Sequence, residues 1–564
     1  MGIDSAIESE FIPNQSPGHT GRTLRHNAGA AMGADVGNMT ADVAILGGGL
    51  AGLTLALQLK REFPALAILV IERHRHPLKA AAHKVGESTV EIGADYFDNT
   101  LGLREHLDDA HIRKFGLRYF FSDGRDDIEN VTELGVRNFL PVPSYQLDRG
   151  IFETFLGEEA RRRGIDFRDG ATVKGFDVGE NGAVHTVRFR DDDADHTVSA
   201  RWLLDASGRA ALLRRRFDLT VDNGHHANAV WFRLGARIDM DSWSDDAEWR
   251  GRCATERWRS TNHFMGPGYW AWLIPLGSGA HSVGIVVDAA MHPLEGMRDF
   301  ERSLGWLSTH QPAVARAVAA ERDTLLDFAF LRHYSHGCQR VFSADRWALT
   351  GEAGLFLDPF YSPGSDFIAI SNTYIVALVG HDLAGTNIAP YAHFYQQLYL
   401  SFYESTLSLF RGQYPMFGNA SVLPAKVIWD YAYYWGVLCQ LVFQQRLTDF
   451  ALLGEMRPQL ERTQQLNERI QQLFRAWHAC YPGRNERVML DQCTLPWFAE
   501  LNRGLHDTLD DTQLRSRLRE NVTLLEALAA TIVERAVTDG DATLRGAFSD
   551  LAQGHSRMEL FAAT

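Results

Sequence analysis

The chain has 564 residues, of which 45% are hydrophobic and 23% charged, and its formal net charge is −15. This length predicts more than one domain, and the acidic balance provides no basic surface for nucleic acid. No apolar run approaches the roughly 18 residues that a membrane span needs, and the N-terminus lacks a secretory signal pattern. The five cysteines are widely spread without a C-x-x-C pair, so we expect no metal site, no disulfide framework and a cytoplasmic location.

The predicted elements begin after a leader, residues 1–40, which is rich in small and polar residues and has no apolar period. Residues 41–72 indicate a strand, a glycine turn, a helix and a second strand, a unit that implies a parallel sheet. Alternating segments such as NAVWFRLGARI predict an antiparallel sheet further on, and helical periodicity dominates the C-terminal part. The predicted fold is therefore α/β, with a Rossmann-type cofactor domain (residues 41–215 and 341–385), an inserted, mostly antiparallel substrate domain (216–340) and a C-terminal helical domain (386–564).

A glycine cluster follows the first predicted strand. Gly47, Gly49 and Gly52 form G-x-G-x-x-G, in which the glycines permit a tight turn, close approach to a pyrophosphate and close packing of helix on strand. Glu72 ends the second strand about 20 residues later, where a carboxylate can accept a hydrogen bond from a ribose hydroxyl. The pattern predicts a dinucleotide cofactor, and the alternative is a tight turn without a ligand.

The segment WAWLIP places two large aromatic residues close together. Side chains two residues apart in a strand share a face, so Trp270 and Trp272 are expected to lie side by side. Alone, the pair predicts ordinary core packing. Beside a reactive cofactor, the same two rings could instead wall off a chamber.

Two motifs and a third segment give the chain a specific likeness. The first motif, W-x-W-x-I-P, is matched by Trp270, Trp272, Ile274 and Pro275, and the second, F-x-x-P-x-x-S-x-G, by Phe356, Pro359, Ser362 and Gly364. The segment HKVGES (83–88) resembles the stretch after the second strand in phenol, pyrrole and carrier-protein halogenases. Over residues 41–385 the chain therefore resembles the flavin-dependent halogenases.

This resemblance implies FAD as the cofactor. The segments RWLLDASGR (201–209) and DRWALTGEAGLFLDP (345–359) resemble the later FAD motifs of flavoprotein monooxygenases, with Glu352 where aspartate is usual. The residues implied to bind FAD are Gly47, Gly49, Gly52, Glu72, Arg73, Gly86, Glu87, Ser88, Asp205, Gly208, Gly351 and Glu352.

The resemblance also implies an activity. In the family, FAD reduced by a separate flavin reductase and O2 oxidise chloride or bromide to hypohalous acid, and a lysine directs this oxidant to the substrate. The substrate would be an electron-rich aromatic or conjugated natural-product precursor, free or bound to a carrier protein. Lys84 is the candidate lysine, the alternative being a structural contact with flavin or Glu87. The residues implied to wall the tunnel and substrate chamber are Trp270, Trp272, Ile274, Pro275, Phe356 and Pro359.

The implied halide site departs from the family pattern. It would use Ser362, Pro363 and Gly364, with backbone N–H groups after the serine holding the anion, but proline has no N–H. Asp366 follows closely, and a carboxylate aimed at the site would oppose an anion. Three alternatives to halogenation stay open: a flavin monooxygenase that hydroxylates, a flavin dehydrogenase or reductase, and a relative that binds flavin without turnover.

Overall fold

The structure, a computed structural model, describes residues 38–81, 84–552 and 558–561. Most of the predicted leader lies outside the described residues, as does His83, while residues 38–40 begin the first strand.

Among the described residues, the strands are β1 (Asn38–Leu46), β2 (Ile68–Glu72), β3 (Ile112–Arg113), β4 (Leu117–Phe120), β5 (Glu133–Gly135), β6 (Tyr145–Gln146), β7 (Asp166–Asp169), β8 (Thr172–Asp177), β9 (His185–Arg190), β10 (Asp195–Asp205), β11 (Thr220–Val221), β12 (Ala227–Leu234), β13 (Thr261–Gly266), β14 (Tyr269–Pro275), β15 (His281–Asp288), β16 (Leu325–Leu331), β17 (Gly337–Cys338), β18 (Trp347–Leu349) and β19 (Met489–Asp491). The α-helices are α1 (Leu50–Glu62), α2 (Glu91–Asp95), α3 (Arg104–Ala110), α4 (Arg149–Arg162), α5 (Leu212–Arg216), α6 (Ala247–Gly251), α7 (Phe300–His310), α8 (Pro312–Ala320), α9 (Gly364–Leu383), α10 (Ala389–Leu407), α11 (Val422–Tyr433), α12 (Gln440–Phe443), α13 (Phe450–Glu455), α14 (Arg457–Cys480), α15 (Pro496–Arg503), α16 (Asp511–Asp539) and α17 (Thr543–Ala547).

The predicted strand–turn–helix–strand unit is confirmed and forms the centre of a twisted sheet. In the described part of the chain this sheet has the order β7-β2-β1-β10-β9-β8, with β18 added beside β10. Strand β1 runs parallel to both β2 and β10, and its residues from Val43 to Leu46 are fully buried. The carboxyl ends of these parallel strands meet at one edge, the position where such sheets bind ligands.

A second sheet is mostly antiparallel, with the order β16-β12-β15-β14-β13-β4-β5-β19 in the described residues. Strand β14 alternates as the sequence predicts: Trp270, Trp272 and Ile274 face the main core, whereas Tyr269 and Leu273 face a smaller core that also holds buried residues of α7 and α8. Gly284 lies opposite Trp272 on β15, and a Cβ there would lie 2.1 Å from the indole ring. The missing side chain makes room for that ring.

The C-terminal part is helical. Helix α9 packs against α1 and α2, and so joins the cofactor domain to the helices that follow it. A π-helical stretch (Tyr434–Cys439) links α11 to α12, and α11, α14 and α16 pack on one another. In the described part of the chain, none of the helices combines the length and the apolar character that crossing a bilayer requires.

The predicted fold class is confirmed: a Rossmann-like domain, a mostly antiparallel sheet and C-terminal helices. The domain boundaries stay a prediction. The second sheet takes most of its strands from residues 216–340, but β4, β5 and β19 come from outside that range.

Candidate functional site

The glycine turn between β1 and α1 has the geometry of a dinucleotide site. Gly47 has φ +108°, and a Cβ there would lie 2.4 Å from the carbonyl oxygen of Ala206. A Cβ on Gly52 would lie 1.9 Å from the carbonyl oxygen of Gly47, so this position requires glycine. Around Gly49, by contrast, a Cβ would meet nothing closer than 3.7 Å. The open space beside Gly49 and the free N–H groups of α1 suit the pyrophosphate of FAD.

Glu72, Asp205 and Glu352 are three of the four acidic residues that were predicted to bind FAD. The Glu72 carboxylate accepts hydrogen bonds from the backbone N–H groups of Gly48 (2.7 Å) and His74 (2.8 Å), which fixes it beside the glycine turn. Asp205 is fully buried and accepts from the N–H groups of Ser207 and Leu213, so it shapes its own loop. Glu352 is partly exposed, and its carboxylate lies 3.7 Å from Arg209.

The other predicted FAD residues lie around the same edge. Arg73 is exposed next to Glu72, and Gly208 and Gly351 have φ of +59° and +61°. Gly86 has φ +94°, and a Cβ there would lie 2.9 Å from the guanidinium of Arg149. The loops that carry these glycines therefore depend on backbone conformations that L-residues rarely adopt.

Lys84 is held on the cofactor side of the molecule. Its ammonium group forms an ion pair with Glu153, a fully buried carboxylate that also accepts from Arg149 at 3.0 Å. The two cations lower the pKa of Glu153 in spite of its burial. The Lys84 nitrogen is also the nearest atom, at 3.7 Å, to a Cβ built on Gly49. Lys84 is therefore placed where a pyrophosphate would approach the glycine turn.

Glu87 connects the HKVGES segment to the tryptophan strand. Its carboxylate pairs with the buried Arg233 (2.7 Å) and accepts a hydrogen bond from Ser282 (2.9 Å). The Ser282 hydroxyl in turn accepts from the indole N–H of Trp272 at 3.1 Å. A Glu87 substitution therefore also removes a partner from the hydroxyl group that holds the Trp272 ring.

A buried hydrogen-bond network around Asp358 was not predicted from the sequence. One oxygen of its carboxylate accepts from Tyr334 (2.8 Å), Tyr414 (2.6 Å) and His225 (2.7 Å). Tyr414 accepts in turn from the indole N–H of Trp270 at 3.0 Å. Because these five residues are far apart in the sequence, the network ties the tryptophan strand to the C-terminal part of the chain.

One candidate chamber is a cavity of about 70 Å³ between β4, α9 and the C-terminal helices. The residues around it include Leu117, Tyr361, Pro363, Asp366, Tyr431 and Tyr434. None of the six predicted wall residues borders this cavity. Trp270 approaches it through Phe360, whose ring lies 5.3 Å from Trp270 and 4.7 Å from Tyr361.

Lys114 lies beside this chamber and was not singled out from the sequence. Its side chain lines a small adjoining space of about 10 Å³, room for one water molecule, which shares Val90 and Tyr431 with the larger cavity. The ammonium group donates to Ser88 (3.1 Å) and to the carbonyl oxygen of Thr89. Burial lowers the pKa of Lys114 to about 8, although the neighbouring carboxyl groups oppose the shift. The signal available in the sequence was a lysine three residues before a mostly apolar strand, in RKFGLRYFF.

The predicted halide segment forms the entry to α9. Ser362 has φ +59°, Pro363 precedes the helix, and Gly364 is its first residue. The hydroxyl group of Ser365 is buried and has no hydrogen-bond partner among the described residues. No group of three or more His, Cys, Asp or Glu side chains in the described residues could hold a metal ion.

Comparisons with known proteins agree with this geometry. The family described as "FAD binding domain" matches residues 40–282. "Flavin-dependent halogenase chlA" of Dictyostelium discoideum is 26% identical over 431 residues, which cover 70% of each chain. "1H-pyrrole-2-carbonyl-[peptidyl-carrier protein] brominase" of Pseudoalteromonas luteoviolacea is 25% identical and aligns with 58% of this chain and 74% of its own.

A likeness in fold extends further along the chain. The crystal structure of halogenase PltM superposes with a TM-score of 0.60 over 86% of this chain and 96% of its own, at 16% identity. The superposition therefore includes part of the C-terminal helical region as well as the cofactor domain. The chain therefore carries an FAD-binding domain and is similar to flavin-dependent halogenases in sequence and to a halogenase in fold.

Proposed function

We propose that this protein uses FAD, reduced by a separate flavin reductase, together with O2 and chloride or bromide, to halogenate an electron-rich aromatic compound. The observation that carries the proposal is the buried ammonium group of Lys114, which donates to Ser88 of the HKVGES segment and lies beside an apolar cavity. When bound, reduced FAD supplies the electrons with which O2 oxidises the halide to hypohalous acid.

The residues proposed to hold FAD are those around the glycine turn. The N–H groups at the start of α1 and the Lys84 ammonium group would bind the pyrophosphate, and Glu72 would accept from the ribose. Glu72 currently accepts two backbone N–H groups, which leaves lone pairs free for a ribose hydroxyl. Gly86, Gly208, Gly351 and Glu352 would line the remainder of the site.

For the lysine that directs the oxidant, the geometry favours Lys114 over Lys84. The Lys84 charge is already compensated by Glu153. Lys114 is only 4% exposed, forms no ion pair within the described part of the chain, and donates to a hydroxyl group and a carbonyl oxygen. A poorly compensated ammonium group in a dry site binds a polar oxidant more strongly than one that is paired.

For the halide, we propose the entry to α9. Pro363 contributes no N–H, but the N–H groups of Gly364 and Ser365 belong to the first turn of a 20-residue helix and have no partner within it. The free hydroxyl group of Ser365 is a further donor at the same place. Ser362 and Pro363 would then shape the site, and the donors would come from the next two residues.

Trp270 and Trp272 are proposed to separate the cofactor from the substrate. Both rings are buried on the face of β14 toward the main core, 5.5 Å apart. Ile274, Pro275, Phe356 and Pro359 are proposed to continue the same wall. The substrate, a small molecule or the aromatic group of a carrier-bound acyl chain, would occupy the cavity beyond it.

The test combines the protein with FAD, a flavin reductase, NADH, O2 and bromide, and offers phenols, pyrroles and indoles. Mass spectrometry of the products distinguishes bromination from the gain of one oxygen atom, which would indicate a hydroxylase. Lys114→Met is expected to abolish bromination while FAD binding persists. Lys84→Met is expected to weaken FAD binding instead. Full bromination by the Lys114 variant would contradict its assigned role.

A further inference from the structure

The wall of the larger cavity carries a carboxyl group that the proposed function does not use. Asp366 lies in the first turn of α9 and is 2% exposed. Its Oδ1 accepts from the backbone N–H of Gly93 (2.8 Å), and its Oδ2 accepts from the hydroxyl group of Tyr434 (2.6 Å). A carboxylate offers about four lone-pair positions, so two remain for a ligand in the cavity.

Those two contacts alone do not require a carboxylate. The oxygen of an asparagine side chain can accept from a backbone N–H or from a tyrosine, without the cost of burying a charge. Buried acids elsewhere in this molecule have more donors: Asp358 accepts from three side chains and Glu153 from two cations. Asp366 has neither, and unlike Asp205, which is also held by two donors, it borders a cavity in which a ligand could use its remaining lone pairs.

The surroundings of Asp366 bring its pKa to a value at which the carboxyl group can exchange a proton near neutral pH. Burial and the nearby Glu91 carboxyl raise its pKa, while Tyr434, Gly93 and Lys114 lower it, and the result is about 7. One Glu91 carboxyl oxygen is itself buried and has no partner among the described residues. A proton acceptor with a pKa near the working pH is the most effective kind.

The remaining wall suits a flat ring with a hydroxyl group. Tyr361, Tyr431 and Tyr434 contribute aromatic surface, and Leu117 and Leu438 contribute aliphatic surface. Asp430, the other acid on the wall, is already occupied by Lys426, Tyr361 and Gln471. Asp366 is therefore the acid on this wall with spare capacity for a substrate.

We propose that Asp366 recognises a hydroxyl group on the substrate ring, so that the substrate is a phenol, and that it takes up the hydroxyl proton during halogenation. This inference rests on the proposed function. As the carbon–halogen bond forms, the halogen–oxygen bond of hypohalous acid breaks, and the released oxygen takes a proton from Lys114 to leave as water. The phenolic proton passes to Asp366. Afterwards the proton on the halogenated ring carbon passes to Lys114, and Asp366 returns its proton to the phenolic oxygen. The products are the halogenated phenol and water.

The test uses two probes that differ only in their hydroxyl groups, phloroglucinol and 1,3,5-trimethoxybenzene. Asp366→Asn is expected to lower kcat/KM for bromination of phloroglucinol at least about 100-fold more than for the trimethyl ether, because the ether has no proton to give up. Asp323→Asn, in an exposed turn before β16, is the matched control. FAD affinity and melting temperature are measured for both variants.

Equal losses on the two probes, or no loss, would overturn the assignment, since a merely structural role affects both alike. So would a wild-type enzyme that brominates the ether as readily as the phenol. If Asp366→Asn fails to fold, Asp366→Glu is used instead, because it keeps the carboxyl group and is expected to retain the preference for phloroglucinol. A glutamate variant without that preference would also count against the proposal. A cyclic β-diketone that traps free hypohalous acid distinguishes failure of the proposed function from failure of the role of Asp366. If wild-type protein yields no halogenated diketone, the proposed function itself is contradicted.

Discussion

Lys114 and Asp366 are expected to make halogenation depend on pH in a narrow, bell-shaped way. Burial lowers the pKa of Lys114 from 10.5 to about 8, and burial raises that of Asp366 from 3.8 to about 7. At 1.36 kcal/mol per pKa unit, these shifts favour the neutral amine by roughly 3 kcal/mol and the neutral acid by roughly 4 kcal/mol. Both side chains are at most 4% exposed, so solvent does not screen these effects.

The direction in which the rate changes with pH follows from the charge state in which each group acts. Asp366 accepts a proton only when ionised, which it is above its pKa, and Lys114 holds the oxidant only when protonated, which it is below its pKa. The rate should therefore rise as pH approaches about 7 and fall beyond about 8. Outside that window it should change about tenfold per pH unit, because one essential form becomes rare.

The assay is a single-turnover measurement with FAD reduced beforehand, so that the reductase does not contribute its own pH dependence. Brominated phloroglucinol is quantified between about pH 5 and about pH 10. Asp366→Asn should lose the acidic limb and keep the alkaline one, whereas wild type shows both. A wild-type rate that stays flat, or that keeps rising above about pH 9, would refute the reasoning for Lys114.

Three further outcomes are expected. Gly52→Ala should yield protein without bound FAD, because the added Cβ would lie 1.9 Å from the carbonyl oxygen of Gly47. Gly305→Ala is the control: its added Cβ would meet no atom within 4 Å, so this variant should purify with FAD as wild type does. Asp358→Asn should lower the melting temperature, with roughly 3 kcal/mol lost from its buried network, and an unchanged melting temperature would argue against that network. Ser365→Ala should raise the KM for bromide several-fold in steady-state kinetics, and an unchanged value would remove that hydroxyl from the halide site.

The cofactor half of the molecule could be predicted from the sequence because its constraints are local. The glycines of the turn are required by contacts within one strand–helix unit, such as that between Gly52 and Gly47. The shared face of Trp270 and Trp272 follows from strand alternation and is confirmed by their packing. These features need no knowledge of which distant segments meet.

The chamber could not be predicted in the same way because it is assembled from distant segments. Leu117 comes from the second sheet, Asp366 from α9 and Tyr431 from α11. Tyr434 reaches the cavity at the start of a π-helical stretch, which shifts side chains away from the positions that α-helical periodicity predicts. Asp366 was read from the sequence only as a carboxylate that would oppose a halide, because its contacts with Gly93 and Tyr434 exist only in the folded chain.

The division between local and assembled parts has a consequence for specificity. The proposed halide and cofactor sites lie in segments with recognisable motifs, whereas the proposed substrate cavity is completed by Tyr431, Tyr433 and Tyr434 in the C-terminal part. Substitutions in those helices can therefore change which ring fits without disturbing the glycine turn. The carboxyl group of Asp366 links the two parts, since it lies three residues after Pro363 and accepts from Tyr434. The proposed halide site and the proposed substrate contact thus meet in the first turn of one helix, so that on this proposal a single residue would couple the position of the ring to that of the oxidant.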